Sequence, residues 1–147
     1  MQHWTPQQVA RAAQARSVAA HADGTGPELV TIDSRAAGPG ALFAGLPGEN
    51  VDGGRFAAAA LEAGAWGVLV APEHAEPLAG TTQTGVVLAA EDPLKALQTL
   101  ATAWRRELGA KVIGVTGSTG KTSTKDLLLA VLAPHRRTVA SDRKSVV

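Results

Sequence analysis

Short apolar runs and longer amphipathic stretches alternate along the first hundred residues. Residues 28–32 (ELVTI), 41–46 (ALFAGL), 66–70 (WGVLV) and 85–88 (GVVL) are compact and apolar, the pattern of buried strands. Thr5-Pro6 followed by Gln8 combines an N-cap, a first-turn proline and a capping-box partner, and predicts a helix to about Arg16. Residues 55–63 predict a short Ala-rich helix stopped by Gly64. Asp92-Pro93 opens the clearest amphipathic helix, in which Leu94, Leu97, Leu100, Ala101, Trp104 and Leu108 recur at three- and four-residue steps. Arg105 and Arg106 suit its C-terminal end and Gly109 closes it. Residues 21–27 and 47–54 (PGENVDGG) read as loops, with Asp33-Ser34-Arg35 and Pro39-Gly40 as turns. Strands alternating with helices at this spacing predict an α/β fold.

The pattern changes character at residues 111–129, KVIGVTGSTGKTSTKDLLL. A β-branched run at 112–115 predicts a strand. It leads through Thr116, Gly117, Ser118, Thr119 and Gly120 to Lys121, Thr122 and a helix ending near Ala133. Strand, glycine-bearing turn, Lys-Thr and helix together make a phosphate-binding loop. The glycines let several backbone N–H groups converge on an anion, and the new helix points its positive end at the same place. Lys121 would reach the β/γ-phosphates of ATP as the catalytic cation, and the Thr122 hydroxyl would ligate Mg²⁺. The usual GxxxxGK[ST] spacing is not met, because the upstream glycine is Gly114, one residue early. An ordinary strand–turn–helix whose glycines only serve the turn would share part of this pattern.

Composition narrows the remaining possibilities. Hydrophobic residues make up 45% of the 147 and charged residues 18%, enough for a packed core and too ordered a balance for disorder. The net charge of +1 and 3% aromatic content argue against a nucleic-acid partner or a membrane surface. Cysteine is absent, so neither disulfides nor thiolate metal sites are available. No uninterrupted apolar segment resembles a signal or a membrane span, and a cytoplasmic, monomeric protein is expected. His3, His21, His74 and His135 have no ligand-like spacing and read as loop or helix-end residues, while Trp66 and Trp104 read as core. A domain boundary is expected near Gly109: residues 1–109 form a complete small α/β unit, and residues 110–141 only open a second one. A strand is expected to begin near Thr138.

VIGVTGSTGKTSTKD resembles the ATP-binding loop of the Mur ligases, which share the early glycine. The upstream block DSRAAGPGALFAGLPGENVDGGRFAAAALEAGAWGVLV is similar to their N-terminal substrate domain. The resemblance implies a small N-terminal, UDP-binding α/β domain followed by the truncated start of a P-loop ATP-binding central domain. Within the family, Ser118 after Thr116-Gly117 and the Lys125-Asp126 pair look like the branch that joins D-Ala-D-Ala to UDP-N-acetylmuramoyl-tripeptide. The reaction implied is ATP-dependent amide formation through an acyl-phosphate, with Mg²⁺ and ATP as cofactors and those two molecules as substrates. By position, the UDP end would meet Ile32 and Ser34, then Glu49, Asn50 and Val51; turn chemistry accounts for Ser34 and Asn50 equally well.

The chain departs from the family at residues 142–147, where DRKSVV stands in place of an expected Gly-Asn-x-Asn-Asn segment. These residues are expected to be a non-native tail: one codon choice, GAT CGG AAG AGC GTC GTG, coincides with a common sequencing-adapter sequence. The chain thus resembles the first third of a ligase and is expected to be inactive alone. Three alternatives stay open: the ligase that adds the third residue to a UDP-N-acetylmuramoyl-dipeptide, an unrelated P-loop kinase, and a non-catalytic nucleotide-binding module.

Overall fold

Thr5 starts the first helix as its capping signals require. In the computed structural model, which describes residues 1, 3–21, 24–49, 51–80 and 84–141, the Thr5 hydroxyl accepts the Gln8 amide at 3.2 Å and Gln8 Oε1 accepts the Thr5 amide at 2.7 Å. Helix α1 spans Pro6–Ala13 and ends short of Arg16, with Gln14 in the left-handed region at φ 54°. The physical reason lies downstream. Arg16 is drawn into a strand, β1 (Arg16–His21), where it pairs with Ala89 across an antiparallel ladder.

The chain falls into two units, Met1–Gly109 and Ala110–Val147. In the first, β1 is joined by β2 (Leu29–Thr31), β3 (Ala41–Ala44), β4 (Gly67–Val70) and β5 (Gly85–Ala89) in the order β1-β5-β4-β3-β2. Strands β2 to β5 run parallel and β1 is antiparallel. Helix α2 (Ala57–Glu62) connects β3 to β4, and the short α3 (Pro72–Ala75) leads from β4 toward β5. Helix α4 (Pro93–Glu107) follows, its N-cap Asp92 accepting the Lys95 amide at 2.9 Å.

Alternation along the strands sorts the core into two layers. Leu42, Ala44, Leu69, Val86 and Leu88 pack with Val9 and Ala13 of α1 and with Ala96 and Leu100 of α4. Their neighbours Phe43, Val68, Val70, Val87 and Ala89 face the other way, against Ala57, Ala60 and Leu61 of α2 and Ala75 of α3. Strands β3, β4 and β5 are buried on both faces of the sheet, which is why they read as near-continuous apolar runs rather than as alternating ones. Among the tryptophans it is Trp4 that enters the core. Trp66 and Trp104 are half-buried, and the Trp66 indole donates to the Thr25 carbonyl at 2.6 Å.

The second unit contains helix α5 (Lys121–Leu132), within one residue of its expected end. The strand expected at 112–115 does not form, and neither does one at 138–141. A β-branched run becomes a strand only when a partner satisfies its ladder, and no described residue pairs with either segment. Val112 and Ile113 are accordingly exposed. Residues 142–147, where the sequence departs from the family pattern, lie outside the described residues.

Candidate functional site

Parallel pairing brings the carboxyl ends of β2, β3, β4 and β5 to one rim of the sheet. Thr31 lies beside Phe43, Ala44 beside Leu69, and Val70 beside Ala89. In open α/β sheets this is the rim where ligands bind. The segments that leave it are 32–35, 45–52 and 71–74, so the first two carry the residues expected to meet a UDP group.

After β2, Asp33 organises a tight turn. The Asp33 amide donates to Thr31 Oγ1 at 3.1 Å. Its Oδ1 accepts the Arg35 amide and Nε at 3.0 Å each, and Oδ2 accepts Arg35 Nη2 at 2.9 Å. These hydrogen bonds from the Arg35 side chain and backbone hold the Asp33 carboxyl below its usual range. Asp33 also caps the single 3-10 turn Ser34–Ala36. The Ser34 hydroxyl is half-buried at this turn and makes no hydrogen bond among the described residues, so it is free to meet a ligand oxygen. Ile32, beside it in sequence, is 57% exposed.

After β3 the chain makes a loop whose neck is closed by backbone. The Gly53 amide donates to the Leu46 carbonyl at 2.9 Å, and the Gly45 amide to the Leu69 carbonyl at 3.0 Å. The strands of the neck approach too closely for side chains: a Cβ on Gly45 would lie 2.8 Å from Gly54 Cα, and one on Gly53 2.8 Å from the Leu46 oxygen. This close approach explains the Gly-Gly pair. Between the two sides of the neck, Glu49 and Val51 are exposed, Val51 at 54%. Asn50 lies outside the described residues.

Two functional candidates were not legible in the sequence. Asp52 Oδ1 accepts the Gly54 amide at 2.9 Å while its Oδ2 lies 2.6 Å from His74 Nε2. The His74 hydrogen bond, then the Gly54 amide, hold the Asp52 carboxyl below its usual range. Spacing could not reveal this pair, because the two residues are 22 positions apart and meet only when α3 folds over the neck. His74 lies in the last turn of α3, as a helix-end residue should, and there meets the Asp52 carboxylate.

Two concavities lie elsewhere among the described residues. One of about 340 Å³ is lined by His21, Thr25, Trp66, Thr84 and Gly85, and another of about 350 Å³ by Thr25, Glu28, Gly40 and Trp66. Both sit at the amino ends of the parallel strands, opposite the rim that carries Ser34 and the loop.

In the second unit, Thr116 through Gly120 form an irregular turn before α5. Gly117 and Gly120 adopt φ of 149° and 76°, conformations closed to most side chains. Gly120 N-caps α5 without any side-chain partner, so no side chain caps the first amides of the helix. The Lys121 ammonium donates to the Gly117 carbonyl, which draws it over the same turn. The Lys121 ammonium, the uncapped amides and the Thr122 hydroxyl are the groups that could hold a triphosphate and its Mg²⁺. Ser118, Thr119 and Thr122 are exposed. Behind them, Lys125 pairs with Asp126 at 3.3 Å and donates to the Ser141 carbonyl at 3.0 Å.

Known proteins are similar to this chain in sequence and in fold. The sequence profile described as Mur ligase family, catalytic domain, matches residues 28–105, within the first unit and upstream of the glycine-rich turn. The UDP-N-acetylmuramoyl-tripeptide--D-alanyl-D-alanine ligase of Mycobacterium tuberculosis is 47% identical over 137 residues, 83% of this chain and 26% of that protein. The crystal structure of MurF from Acinetobacter baumannii superposes with a TM-score of 0.72 at 33% identity, covering 90% of this chain and 28% of that one. MurF ligase from Thermotoga maritima in complex with ADP does so with a TM-score of 0.57 at 30% identity, covering 73% and 23%. The chain thus spans about a quarter of the length of the relatives it matches. With a profile covering more than half of its residues, the chain belongs to the Mur ligase family.

Proposed function

We propose that the chain is the N-terminal part of an ATP-dependent ligase that adds D-Ala-D-Ala to UDP-N-acetylmuramoyl-tripeptide in peptidoglycan synthesis. Residues 1–109 would hold the UDP end of the precursor, and residues 110–141 would open the ATP-binding domain. The observation that carries this reading is the uncapped start of α5, where Gly117 and Gly120 shape the backbone and Lys121 lies over the turn. The name of the 47%-identical relative and the ADP in the Thermotoga maritima complex support it.

In the chemistry proposed, a peptide carboxylate oxygen attacks the γ-phosphorus and ADP departs. The amine of D-Ala-D-Ala then attacks the acyl carbon, loses a proton and expels phosphate. Lys121 and the α5 amides stabilise charge on the transferring phosphoryl group. Mg²⁺ bound through Thr122 would neutralise the phosphate oxygens. On the first unit, Ser34 would donate or accept a hydrogen bond at the UDP end, with Ile32, Glu49, Asn50 and Val51 around it.

Calorimetric titration of the chain with UDP-N-acetylmuramoyl-tripeptide and, separately, with ATP–Mg²⁺ tests the reading. Binding of both supports the ligase. ATP binding alone would point to an unrelated P-loop kinase, and precursor binding alone to a substrate-binding module. Preference for UDP-N-acetylmuramoyl-dipeptide over the tripeptide would move the assignment to the ligase that adds the third residue.

A further inference from the structure

The Asp52–His74 pair stands at the base of the loop between β3 and α2, in a setting that neither turn formation nor core packing requires. Asp52 already caps the 3-10 turn Gly53–Phe56 with one carboxylate oxygen, and that alone satisfies the turn. The second oxygen reaches out to His74 on α3, which belongs to a different connection of the sheet. His74 is the more buried partner, its side chain 21% exposed against 41% for Asp52. The ring is also wedged against the neck, since a Cβ on Gly54 would lie 2.2 Å from its Cδ2. Glycine at 54 therefore makes room for the imidazole. A histidine that is packed on one side and bonded to a carboxylate on the other has little freedom left.

The consequence is mechanical. The loop is clamped at the Gly53–Leu46 hydrogen bond and, through Asp52, to α3. Glu49 and Val51 are exposed beyond this clamp. Their placement relative to Ser34, on the neighbouring strand's exit, depends on what holds the loop's last residue. We propose that His74, acting through Asp52, is a positioning residue that sets Glu49 and Val51 for precursor binding. The inference rests on the reading of this rim as the UDP-precursor site.

Two measurements on the 147-residue chain test it. Amide hydrogen exchange without ligand reads the restraint itself: His74→Ala accelerates exchange at Gly48 and Val51, and His74→Gln, whose amide nitrogen can replace Nε2, restores protection. Titration with UDP-N-acetylmuramoyl-tripeptide reads its effect. Loss of one hydrogen bond to a charged partner weakens binding about tenfold in His74→Ala, with recovery in His74→Gln. The double variant His74→Ala/Asp52→Ala loses no more than Asp52→Ala alone, because the histidine acts through the aspartate.

Unchanged exchange in a folded His74→Ala variant overturns the proposal, as does an unchanged dissociation constant where the unaltered chain binds. Additive losses in the double variant overturn the route through Asp52. If the unaltered chain fails to bind the precursor, the substrate reading fails and the positioning role falls with it, a result distinct from altered exchange with intact binding.

Discussion

The indole of Trp4 meets that of Trp104 edge-on, with ring centroids 5.4 Å apart and planes at 87°. The contact ties the entrance of α1 to the last turn of α4, and the His3 ring lies 5.5 Å from the same Trp104. Trp4 is the buried member. Trp4→Ala is therefore expected to destabilise the first unit by about 3–5 kcal/mol, as large-to-small changes of buried aromatics do. A double-mutant cycle with Trp104→Ala in denaturant unfolding should return a coupling of about 0.5–1.5 kcal/mol. Coupling near zero would mean the edge contact adds nothing beyond burial.

Two glycines separate close approach from mere turn formation. Gly45→Ala places a methyl 2.8 Å from the Gly54 backbone and should destabilise by about 1–3 kcal/mol. Gly38→Ala meets nothing within 4 Å and should stay within about 0.5 kcal/mol of the parent. Thermal unfolding of the two variants side by side decides whether the neck is as tight as described.

Lys121→Ala is expected to abolish ATP–Mg²⁺ binding and to leave precursor affinity unchanged, since the two ligands are assigned to different units. Calorimetric titration with each ligand checks this. A fall in both affinities in a folded variant would refute the division of labour.

Ser34→Ala should weaken UDP-precursor binding by roughly 1 kcal/mol, the value of one neutral hydrogen bond. The turn itself should survive, because Asp33, Thr31 and Arg35 hold it without the serine hydroxyl. An unchanged dissociation constant would return Ser34 to the role of turn former.

The Asp33 turn should also respond to acid. Its carboxyl titrates below the ordinary 3.8 because Arg35 hydrogen-bonds the charged form. A depressed folded-state value contributes order that is complete above that ordinary value and lost as pH falls through the lower one. A carboxyl-carbon NMR titration should place the Asp33 midpoint below 3.8, and Arg35→Ala should move it back up. A midpoint that ignores the Arg35 substitution would refute the cause given.

Local signals carried much of this fold. The Thr5, Pro6 and Gln8 cap and the Asp92 cap each act within one helical turn and are realised; of the three- and four-residue steps of α4, Leu100 is buried and Leu97 and Trp104 half-buried, while Leu94, Ala101 and Leu108 stay exposed. The runs that became β3, β4 and β5 were readable because burial on both faces leaves them apolar throughout. Strand β1 was not readable, because RSVAAH has little apolar character of its own and becomes a strand through its ladder with β5. The reverse failure occurred at 112–115, where the right residues found no ladder. At the candidate site, the glycine-rich turn and Lys121 are contiguous and so legible, whereas Asp52 and His74 are joined only by tertiary folding.

The closed neck of the 45–52 loop has one more implication. Gly53 and Leu46 are bonded to each other across its base. Loop-closure entropy changes only slowly with length, so residues could be added or exchanged at 47–51 with little strain reaching β3 or α2. Such a segment behaves as a cartridge: descendants of one scaffold could try new ligand chemistries there while their folding stayed as it was.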